Sequence, residues 1–413
     1  MQDNYEELEA LYQHLHSHPE LSFHEAQTAD RLISELSPLG FEITEKVGGH
    51  GFVAVKRNGS GPTLLLRTDL DALPVTEDTP LPYASTVRTK NDEGLEVGVM
   101  HACGHDVHMT VFVGAARLLA SLEETWKGTL VMIGQPAEEK GAGARAMLED
   151  GLFERFPLPD YCVALHVNAA LPAGSLGYVP GYALANVESV DILMRGVGGH
   201  GAWPHTTKDP IVLAAQTVMA LQTIVSREIA PTDAAVVTVG SIHGGTKHNI
   251  IPDEVKLQLT LRSYTDEVRN QTIDSIKRIV HGLALAAGVP EDQLPIVNRS
   301  DQFTPSTYND PELTSRIARV FKREFSETKV KQMDPVMGGE DFGRYGRTKH
   351  QVPISIFWLG AAPVHVLSKA DRDGVPPPSL HSSQFYPEPE PTLKAGVKAM
   401  TSAALELLAP SNQ

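Results

Sequence analysis

Val99–His108 reads Val-Met-His-Ala-Cys-Gly-His-Asp-Val-His, which brings three histidines, one cysteine and one aspartate into ten consecutive residues. A single glycine separates Cys103 from His105, so on a bent backbone both side chains can point into one small volume. Thiolate and imidazole are the ligands that zinc and similar divalent ions prefer. A cysteine close to a histidine can also be a nucleophile activated by a base. The stretch alone therefore indicates a reactive site and leaves open whether metal or thiol chemistry operates there.

The flanking segments place this stretch at the end of a strand in an α/β sheet. A short hydrophobic strand and an acidic turn precede it at Thr63–Leu73, and an apolar helical pattern begins at Val107. Asp69 leaves the end of the strand Thr63–Arg67, where open α/β sheets often hold ligands and the carboxylates that orient them. For Asp69 taken alone, a solvated acidic turn is the simpler alternative.

Two further strands deliver candidate side chains to the same edge. Gly128–Gly134 is a continuous apolar strand that leads into Glu138 and Glu139. Two adjacent carboxylates at a buried strand end are unfavourable unless a cation compensates them, and a metal ion would leave one of them free as a general base. The next strand, Tyr161–Val167, carries His166 near its end. Three strands that each bring a candidate ligand to one edge favour a metal site.

Composition excludes several classes of partner and sets the scale of the fold. A chain of 413 residues, 41% of them hydrophobic, predicts two or three domains or one domain with a large insertion. The formal charge of −16 argues against nucleic acid or an anionic membrane as a partner. Two cysteines imply no disulfide framework, and Cys162 is expected in the core. The acidic start Met1–Glu7 is unlike a signal peptide, so we expect a cytoplasmic protein.

The pattern changes at residue 186. From there to residue 299 the predicted elements follow the order β-α-β-β-α-β, which is typical of a ferredoxin-like sandwich. We therefore expect one catalytic domain, formed by residues 1–185 and 300–413, and an inserted α+β domain over residues 186–299. An edge strand or outer helix of that insert is a natural dimer surface. Ala361–Pro378, rich in proline, alanine and aspartate, predicts a surface loop.

Several histidines lie outside this scheme. A solvated helical surface is the preferred interpretation for four of them, with a second metal site as the alternative: His14, His16, His18 and His24. His101 and His108 flank the candidate ligands and are expected to support them or to lie on the surface.

The motifs taken together resemble the metal-dependent amidohydrolases of the aminoacylase/carboxypeptidase family, in the branch of hippurate hydrolase and the auxin–amino acid conjugate hydrolases. The matching segments occur in the family's order and span nearly the whole chain. They are His18-Pro-Glu-Leu, Arg67-Thr-Asp-Leu-Asp-Ala-Leu-Pro, Met100-His-Ala-Cys-Gly-His-Asp, Gln135-Pro-Ala-Glu-Glu, Leu165-His-Val, Gly199-His-Gly-Ala-Trp-Pro-His, Asn249-Ile-Ile-Pro-Asp, Gly339-Glu-Asp-Phe and Leu380-His-Ser.

The resemblance implies an α/β fold: a zinc-peptidase-like catalytic domain, with a mixed sheet flanked by helices, and an inserted ferredoxin-like lid and dimerisation domain. It also implies two divalent metal ions per subunit, with zinc expected and manganese, cobalt or nickel as alternatives. The implied ligands are Cys103, His105, Glu139, His166 and His381. Cys103 fits a position that bridges both ions. Other branches have an additional histidine where this chain has Arg67, so five protein ligands must suffice.

The resemblance assigns further roles beyond the ligands. Glu138 matches the general base, and Asp69 matches a carboxylate that orients a ligand. His200, in the insert, matches a residue that reaches the substrate, typically across a dimer interface. Asn249 and Arg262 lie where residues of the insert can bind the substrate carboxylate.

The expected activity is metal-dependent hydrolysis of N-acyl amino acids, such as hippurate-like or N-acetyl compounds, with Glu138 as general base. A metallo-carboxypeptidase or dipeptidase is the close alternative. A thiol hydrolase with Cys103 as nucleophile and His105 as base is an alternative of another class. It gives no role to four further candidates, Glu138, Glu139, His166 and His381. A non-catalytic, metal-stabilised binding protein is a third. Glu138 disfavours it, because it adds a carboxylate beyond the ligands and structural sites are closed by their ligands. We expect a homodimer through the insert, with a tetramer as the alternative.

Overall fold

A computed structural model describes residues 5–300 and 303–409 of the chain. Residues 1–4, on which part of the expectation about the chain start rests, lie outside the described residues. The described chain forms two compact units. The first takes the described residues within Met1–Ala183, Tyr308–Pro335 and Asp341–Gln413, and the second takes those within Leu184–Thr307 and Val336–Glu340. Among the described helices, none has the length and apolar character needed to cross a membrane.

The strands and helices are numbered in chain order. The strands are β1 Glu42–Glu45, β2 Phe52–Asn58, β3 Thr63–Asp69, β4 Arg88–Lys90, β5 Glu96–Gly98, β6 Gly128–Gln135, β7 Tyr161–Pro172, β8 Leu176–Tyr178, β9 Gly181–Leu184, β10 Asn186–Arg195, β11 Gly199–His200, β12 Ala235–Gly244, β13 Ile250–Ile251, β14 Glu254–Ser263, β15 Ile296–Arg299, β16 Thr307–Asn309, β17 Val330–Gln332 and β18 Ile354–Ala362. The α-helices are α1 Tyr5–Ser17, α2 Ala26–Leu36, α3 His105–Ser121, α4 Gly143–Glu149, α5 Leu152–Arg155, α6 Pro210–Thr223, α7 Asp266–Ala286, α8 Pro311–Phe325, α9 Gly343–Gly346, α10 Val364–Asp373 and α11 Pro389–Leu407.

The first unit is built on a mixed sheet with the strand order β1-β2-β6-β3-β7-β18-β8-β17. The strands at its centre are parallel: β3 pairs in parallel with β6 on one side and with β7 on the other, and β7 pairs in parallel with β18. Parallel strands covered on both faces are apolar along their length, and β3, β6 and β18 are buried at nearly every position. Because β3 and β6 run in the same direction, their carboxyl ends meet, and Asp69 lies opposite Gln135.

Helix α3 is the centre of packing in this unit. It is buried continuously from His105 to Ala116 and packs against α1, α2 and α11 and against β3 and β7. The crossing with α11 is close, since a methyl group on Gly114 would lie 2.5 Å from Cγ2 of Val397. Side chains in such a close-packed interior have little freedom to move. The amino-terminal residues of α3 are therefore held rigidly, and His108 among them contacts Asp69 at the end of β3.

The second unit has its own antiparallel sheet, with the strand order β12-β14-β10-β15. Helix α6 connects β10 to β12, and α7 connects β14 to β15, so the elements follow the ferredoxin-like order β-α-β-β-α-β. Every second residue of β10 and β14 is buried, and this face packs against α6 and α7. The predicted fold class, a mixed sheet flanked by helices with an inserted α+β unit, is confirmed.

Two local predictions differ from the structure. Strand β7 continues past Val167 to Pro172, because it pairs with β18 as far as Ala362. The segment Ala361–Pro378 is not only a loop, since it contains α10. Its prolines flank that helix rather than interrupt it, and Gly374 ends it in a left-handed conformation with φ of 66°.

The assignment of His16 to a solvated surface is wrong. Its ring is buried, with Nδ1 2.7 Å from Oδ2 of Asp106 and Nε2 3.0 Å from Oε1 of Glu77. Burial lowers the pKa of His16, but the two carboxylates outweigh this effect and raise the pKa to about 9. An imidazolium held between two carboxylates therefore ties α1 to the start of α3 and to the loop that carries Glu77.

We predict that His16→Gln destabilises the protein most below neutral pH. Because the folded-state pKa of His16 is raised from its ordinary 6.5 to about 9, its stabilisation is complete below pH 6.5, declines above that pH and is lost as pH rises through about 9. The contribution is on the order of 2–3 kcal/mol, so at about pH 6 the thermal midpoint should fall by several degrees.

Thermal midpoints of the wild type and the variant at about pH 6, 7.5 and 9.5 test this, and the gap should narrow steadily with pH. His24→Gln is the matched control, because His24 is exposed. A gap for His16→Gln that does not change with pH would contradict the ion pairs.

Candidate metal centre

The turn before α3 places Cys103 and His105 side by side. Gly104 lies between them in a left-handed conformation with φ of 75°, and a Cβ atom there would lie 2.5 Å from Cγ2 of Val167. Only glycine fits this position without displacement. Nδ1 of His105 donates a hydrogen bond to the backbone carbonyl of Asp71 at 2.8 Å, which leaves Nε2 to act as a ligand atom.

A second turn, after β6, positions Glu138 and Glu139. Their backbone N–H groups donate to the two carboxylate oxygens of Asp71, at 3.1 Å and 3.0 Å. The preceding residue, Ala137, has a φ of 48°, which is uncommon for a residue other than glycine. Asp71 thus holds three groups in place at once: both glutamates through its side chain, and His105 through its carbonyl.

His166 and His381 complete the cluster around the Cys103 thiol. Nδ1 of His166 donates to the carbonyl of Val167 at 2.8 Å, and its Nε2 lies 3.5 Å from Sγ of Cys103. Nε2 of His381 lies 3.3 Å from the same sulfur and 3.5 Å from Oε2 of Glu139. The N–H of His381 donates to the carbonyl of Ala102 at 2.8 Å, which ties this remote residue to the Cys103 turn.

The structure brings the five side chains predicted as ligands into one cluster. Cys103 belongs to two groups of mutually close ligand atoms, one with His105 and His166 and one with Glu139 and His381. A sulfur shared by two groups is what a bridging ligand requires. Nε2 of His105 and Oε1 of Glu139 are 3.8 Å apart, and both are buried without a hydrogen-bond partner in the described part of the chain. Because buried polar atoms are normally paired, this set fits divalent cations.

The electrostatics of the cluster also indicate a need for positive charge. Burial raises the pKa of Glu139 to about 7, with a further contribution from Asp71. Burial lowers the pKa of His105, but Asp69, Asp71 and Glu139 raise it to about 10. Groups that retain protons in this way mark a site with excess negative charge, which metal cations would compensate.

The alternative of a thiol nucleophile finds no support in this geometry. Burial, followed by the charges of Glu139 and Glu138, holds the pKa of the Cys103 thiol well above its ordinary value. Nε2 of His105, the base in that alternative, makes no hydrogen bond among the described residues, and burial lowers the pKa of His166 and His381, whose Nε2 atoms lie within 3.5 Å of the sulfur. A nucleophilic cysteine needs the opposite environment, in which its thiolate is stabilised.

Asp69 connects the cluster to His108, which was expected either to support the ligands or to lie on the surface, and to Arg67, to which sequence reasoning gave no supporting role. Its Oδ1 accepts from Nδ1 of His108 at 2.7 Å, and the backbone N–H of Val167 donates to Nε2 of the same ring at 2.9 Å. Its Oδ2 lies 3.6 Å from Nε2 of His105 and 2.6 Å from Nη1 of Arg67. His108 and Arg67 are both buried. Asp69 is thus held in a fixed orientation towards His105.

Arg67 is a permanently charged buried residue of this region. Its guanidinium donates to Asp69, to Oε1 of Gln135 at 3.0 Å and to Oδ1 of Asp341 at 3.3 Å. The other oxygen of Asp341 accepts from the backbone N–H of Ala144 at the start of α4. A charged residue inside an otherwise apolar strand was the sequence signal that could have identified this network.

The remaining predicted site residues lie in the second unit. His200 is exposed on the short strand β11, opposite Ile250 of β13, and the N–H of Ala202 donates to its Nδ1 at 3.0 Å. The carbonyl of Asn249 accepts from the N–H of Gly201 at 2.9 Å, so His200 and Asn249 belong to one small ribbon. Arg262 is half-buried on β14, where burial lowers its pKa.

Comparison with known proteins gives a consistent result. The model of peptidase family M20/M25/M40 matches residues 65–375 of the chain. The chain is 35% identical to thermostable carboxypeptidase 1 of Saccharolobus solfataricus, covering 95% of this chain and 93% of that protein. It is 37% identical to N-acetyldiaminopimelate deacetylase of Limosilactobacillus fermentum, covering 96% of both. It is also 37% identical to hippurate hydrolase of Campylobacter jejuni subsp. jejuni, covering 83% of this chain and 86% of that protein.

A solved structure extends the likeness to the fold. The chain is similar to the Bacillus subtilis YxeP protein, described as a dinuclear metal-binding peptidase of the M20 family. The TM-score is 0.80 at 28% sequence identity, and the match covers 99% of each chain.

We predict that Arg67→Met destabilises the metal-free protein by about 3–5 kcal/mol, because it leaves the buried carboxylates of Asp69 and Asp341 without their cation. Denaturant unfolding of chelated protein measures this. Arg57→Met is the matched control: Arg57 pairs with Glu42 on the surface, with both side chains more than half exposed, and its loss should change stability by less than about 1 kcal/mol. Equal effects of the two variants would contradict a special role for the Arg67 network.

Proposed function

This chain belongs to peptidase family M20/M25/M40, its similarity to named hydrolases of that family shows that it is a metal-dependent amidohydrolase, and from that premise we propose that it hydrolyses N-acyl amino acids. The bond cleaved joins an acyl group to the amino nitrogen of a free amino acid, and the products are a carboxylic acid and that amino acid. The similarity to hippurate hydrolase and to N-acetyldiaminopimelate deacetylases supports this substrate class, since both names describe removal of an acyl group from an amino acid.

The observation that carries the proposal is a pair of adjacent glutamates in the cluster, of which one can bind metal while the other accepts a proton. In the proposal, two divalent ions, with zinc as the expected metal, are held by the five ligand side chains, Cys103, His105, Glu139, His166 and His381. When bound, such ions lower the pKa of water and polarise the amide carbonyl. Glu138 then remains as a buried carboxylate at the edge of the cluster, with Oε2 3.9 Å from Nε2 of His105.

We assign Glu138 as the general base. Its backbone N–H donates to Asp71, which fixes the main chain from which its carboxylate extends. In the proposed reaction Glu138 accepts a proton from the attacking water and later returns it to the leaving amine. Asp69 orients His105, and His108 in turn holds Asp69.

We assign the substrate contacts to the second unit. His200 would donate a hydrogen bond to the oxyanion that forms when water attacks the carbonyl. Asn249 and the guanidinium of Arg262 would bind the free carboxylate of the amino acid. A homodimer through this unit is part of the proposal, and it is supported by apolar side chains exposed on α6, namely Ile211, Val212 and Met219.

A second candidate is a carboxypeptidase, supported by the similarity to thermostable carboxypeptidase 1. Both reactions cleave an amide next to a free carboxylate and differ in what lies on the other side. Release of free amino acid from N-acetyl, N-benzoyl and dipeptide substrates discriminates them. The assay is run on the protein as purified, after chelation, and after zinc or manganese is added back.

We predict that chelation abolishes turnover and that one added ion restores it, with acyl amino acids cleaved faster than dipeptides. Faster cleavage of dipeptides would favour the carboxypeptidase. Turnover that is indifferent to chelation would contradict the ligand set.

We predict that Glu138→Gln lowers kcat by a factor of at least about 10³ with unchanged metal content, because the amide cannot accept the proton. Metal analysis and thermal melting establish that the site and fold are intact. Glu149→Gln, an exposed position on α4, is the control and should keep full activity. Substantial activity in Glu138→Gln would exclude this residue as the base.

We predict that His200→Ala lowers kcat by a factor of about 10²–10³, the usual effect of losing one oxyanion donor. His205→Ala is the matched control, because His205 is exposed in the same loop. The comparison is made on metal-loaded protein with the best substrate of the panel. Equal kcat values for the two variants would remove His200 from the mechanism.

A further inference from the structure

Glu25, at the start of α2, is buried. It is distant in sequence from the predicted ligands, but it holds the turn that carries Glu138 and Glu139. Its Oε1 accepts a hydrogen bond from the backbone N–H of Phe23 at 2.7 Å and another from that of Ala137 at 2.8 Å. Both of these residues have left-handed backbones, with φ of 66° and 48°. A residue other than glycine adopts this conformation at a cost in free energy, and it persists where the surroundings impose it.

The Ala137 amide is the first of three consecutive N–H groups that are all held by buried carboxylates. Ala137 donates to Glu25, and Glu138 and Glu139 donate to Asp71. Ser22 completes the arrangement, because its hydroxyl donates to Oδ2 of Asp71 at 2.6 Å. The segment before α2 therefore reaches the glutamate turn through two carboxylates.

We propose that Glu25 is a positioning residue for hydrolysis, which acts by holding Ala137 in its left-handed conformation and thereby fixing the direction of the Glu138 carboxylate. The inference rests on the proposed role of Glu138 as the base. A right-handed Ala137 would rotate the peptide plane that precedes Glu138, and a carboxylate moved by about 1 Å transfers protons much less effectively.

The environment of Glu25 argues against a residue that only fills space. Its Oε2 is buried and has no hydrogen-bond partner among the described residues. Burial and the neighbouring Asp71 raise the pKa of Glu25 to about 7. An acid with one unpaired oxygen is an unfavourable choice for filling space, where an apolar side chain would serve. The hydrogen bonds to two strained amides give a reason for its presence.

A double-mutant cycle between Glu25 and Ala137 tests the coupling. Glu25→Ala should lower kcat by about ten- to a hundredfold with little change in KM, because the strained conformation is no longer held. Ala137→Gly should have kcat close to that of the wild type, since glycine adopts the left-handed conformation freely. In the Ala137→Gly background, the loss caused by Glu25→Ala should be several-fold smaller. An equal loss in both backgrounds would overturn the proposal.

Two further variants separate positioning from general loosening. Glu25→Gln keeps an acceptor oxygen at the same reach and should retain most of kcat. Glu20→Ala is the matched control from the same segment: Glu20 accepts from the N–H of Thr28 in the first turn of α2, so its loss should lower the thermal midpoint and leave kcat unchanged. A loss of kcat in Glu20→Ala as large as in Glu25→Ala would overturn the proposal. If Glu25→Ala does not fold, Glu25→Asp, too short to reach both amides, replaces it.

Hydrogen exchange supplies a readout that does not depend on turnover. Exchange of the amides of residues 137–139, followed by mass spectrometry on metal-free protein, should speed up in Glu25→Ala and stay unchanged in Glu20→Ala. If the wild type cleaves none of the substrates, the proposed function fails while this measurement still decides whether Glu25 holds the turn. Unchanged exchange in Glu25→Ala would overturn the positioning role.

Discussion

Buried negative charge at the carboxyl ends of β3 and β6 is the constraint on which the first unit depends. Asp69, Asp71 and Glu138 lie buried within one small region, and Glu139 is partly buried beside them. Isolated carboxylates in such a region are highly unfavourable, so each is held by a hydrogen-bond donor or faces a cation site. Asp71 is satisfied by backbone amides and a hydroxyl, and Asp69 by His108 and Arg67. Oε1 of Glu139 is unpaired among the described residues, which is consistent with its proposed role as a metal ligand.

The backbone around the cluster is adapted to this charge. Gly104, Ala137 and His381 have positive φ values, and each lies at or next to a predicted ligand or the predicted base. Regular strands and helices cannot turn three separate segments towards one point, so the turns take left-handed conformations that neighbouring groups stabilise. The N–H of His381 is held by Ala102, and that of Ala137 by Glu25. Strain at the cluster is thus supported by hydrogen bonds from outside it.

The sequence predicted the chemistry of the cluster better than its supports. Residue types and their places after predicted strands marked Cys103, the pair Glu138 and Glu139, and His166 as candidates. The choice of Glu139 as the ligand and Glu138 as the base came only from the resemblance. His16 was misassigned because helical periodicity shows which face a residue occupies but not that Glu77, from a distant loop, covers that face. Glu25 has no local signal at all, because its partner Ala137 is 112 residues away and is recognised only by a backbone angle.

The buried Arg67 compensates negative charge permanently, whereas metal ions would do so only when they are bound. In the resemblance described above, other branches have a metal-ligating histidine at this position, whereas here a guanidinium pairs with Asp69 and Asp341. A guanidinium keeps its proton at any ordinary pH and cannot be removed by a chelator. Arg67 therefore neutralises part of the negative charge whether or not metals are bound. The orientation of Asp69, and through it that of His105, is then already set before the ions arrive, so metal binding does not have to assemble this side of the site.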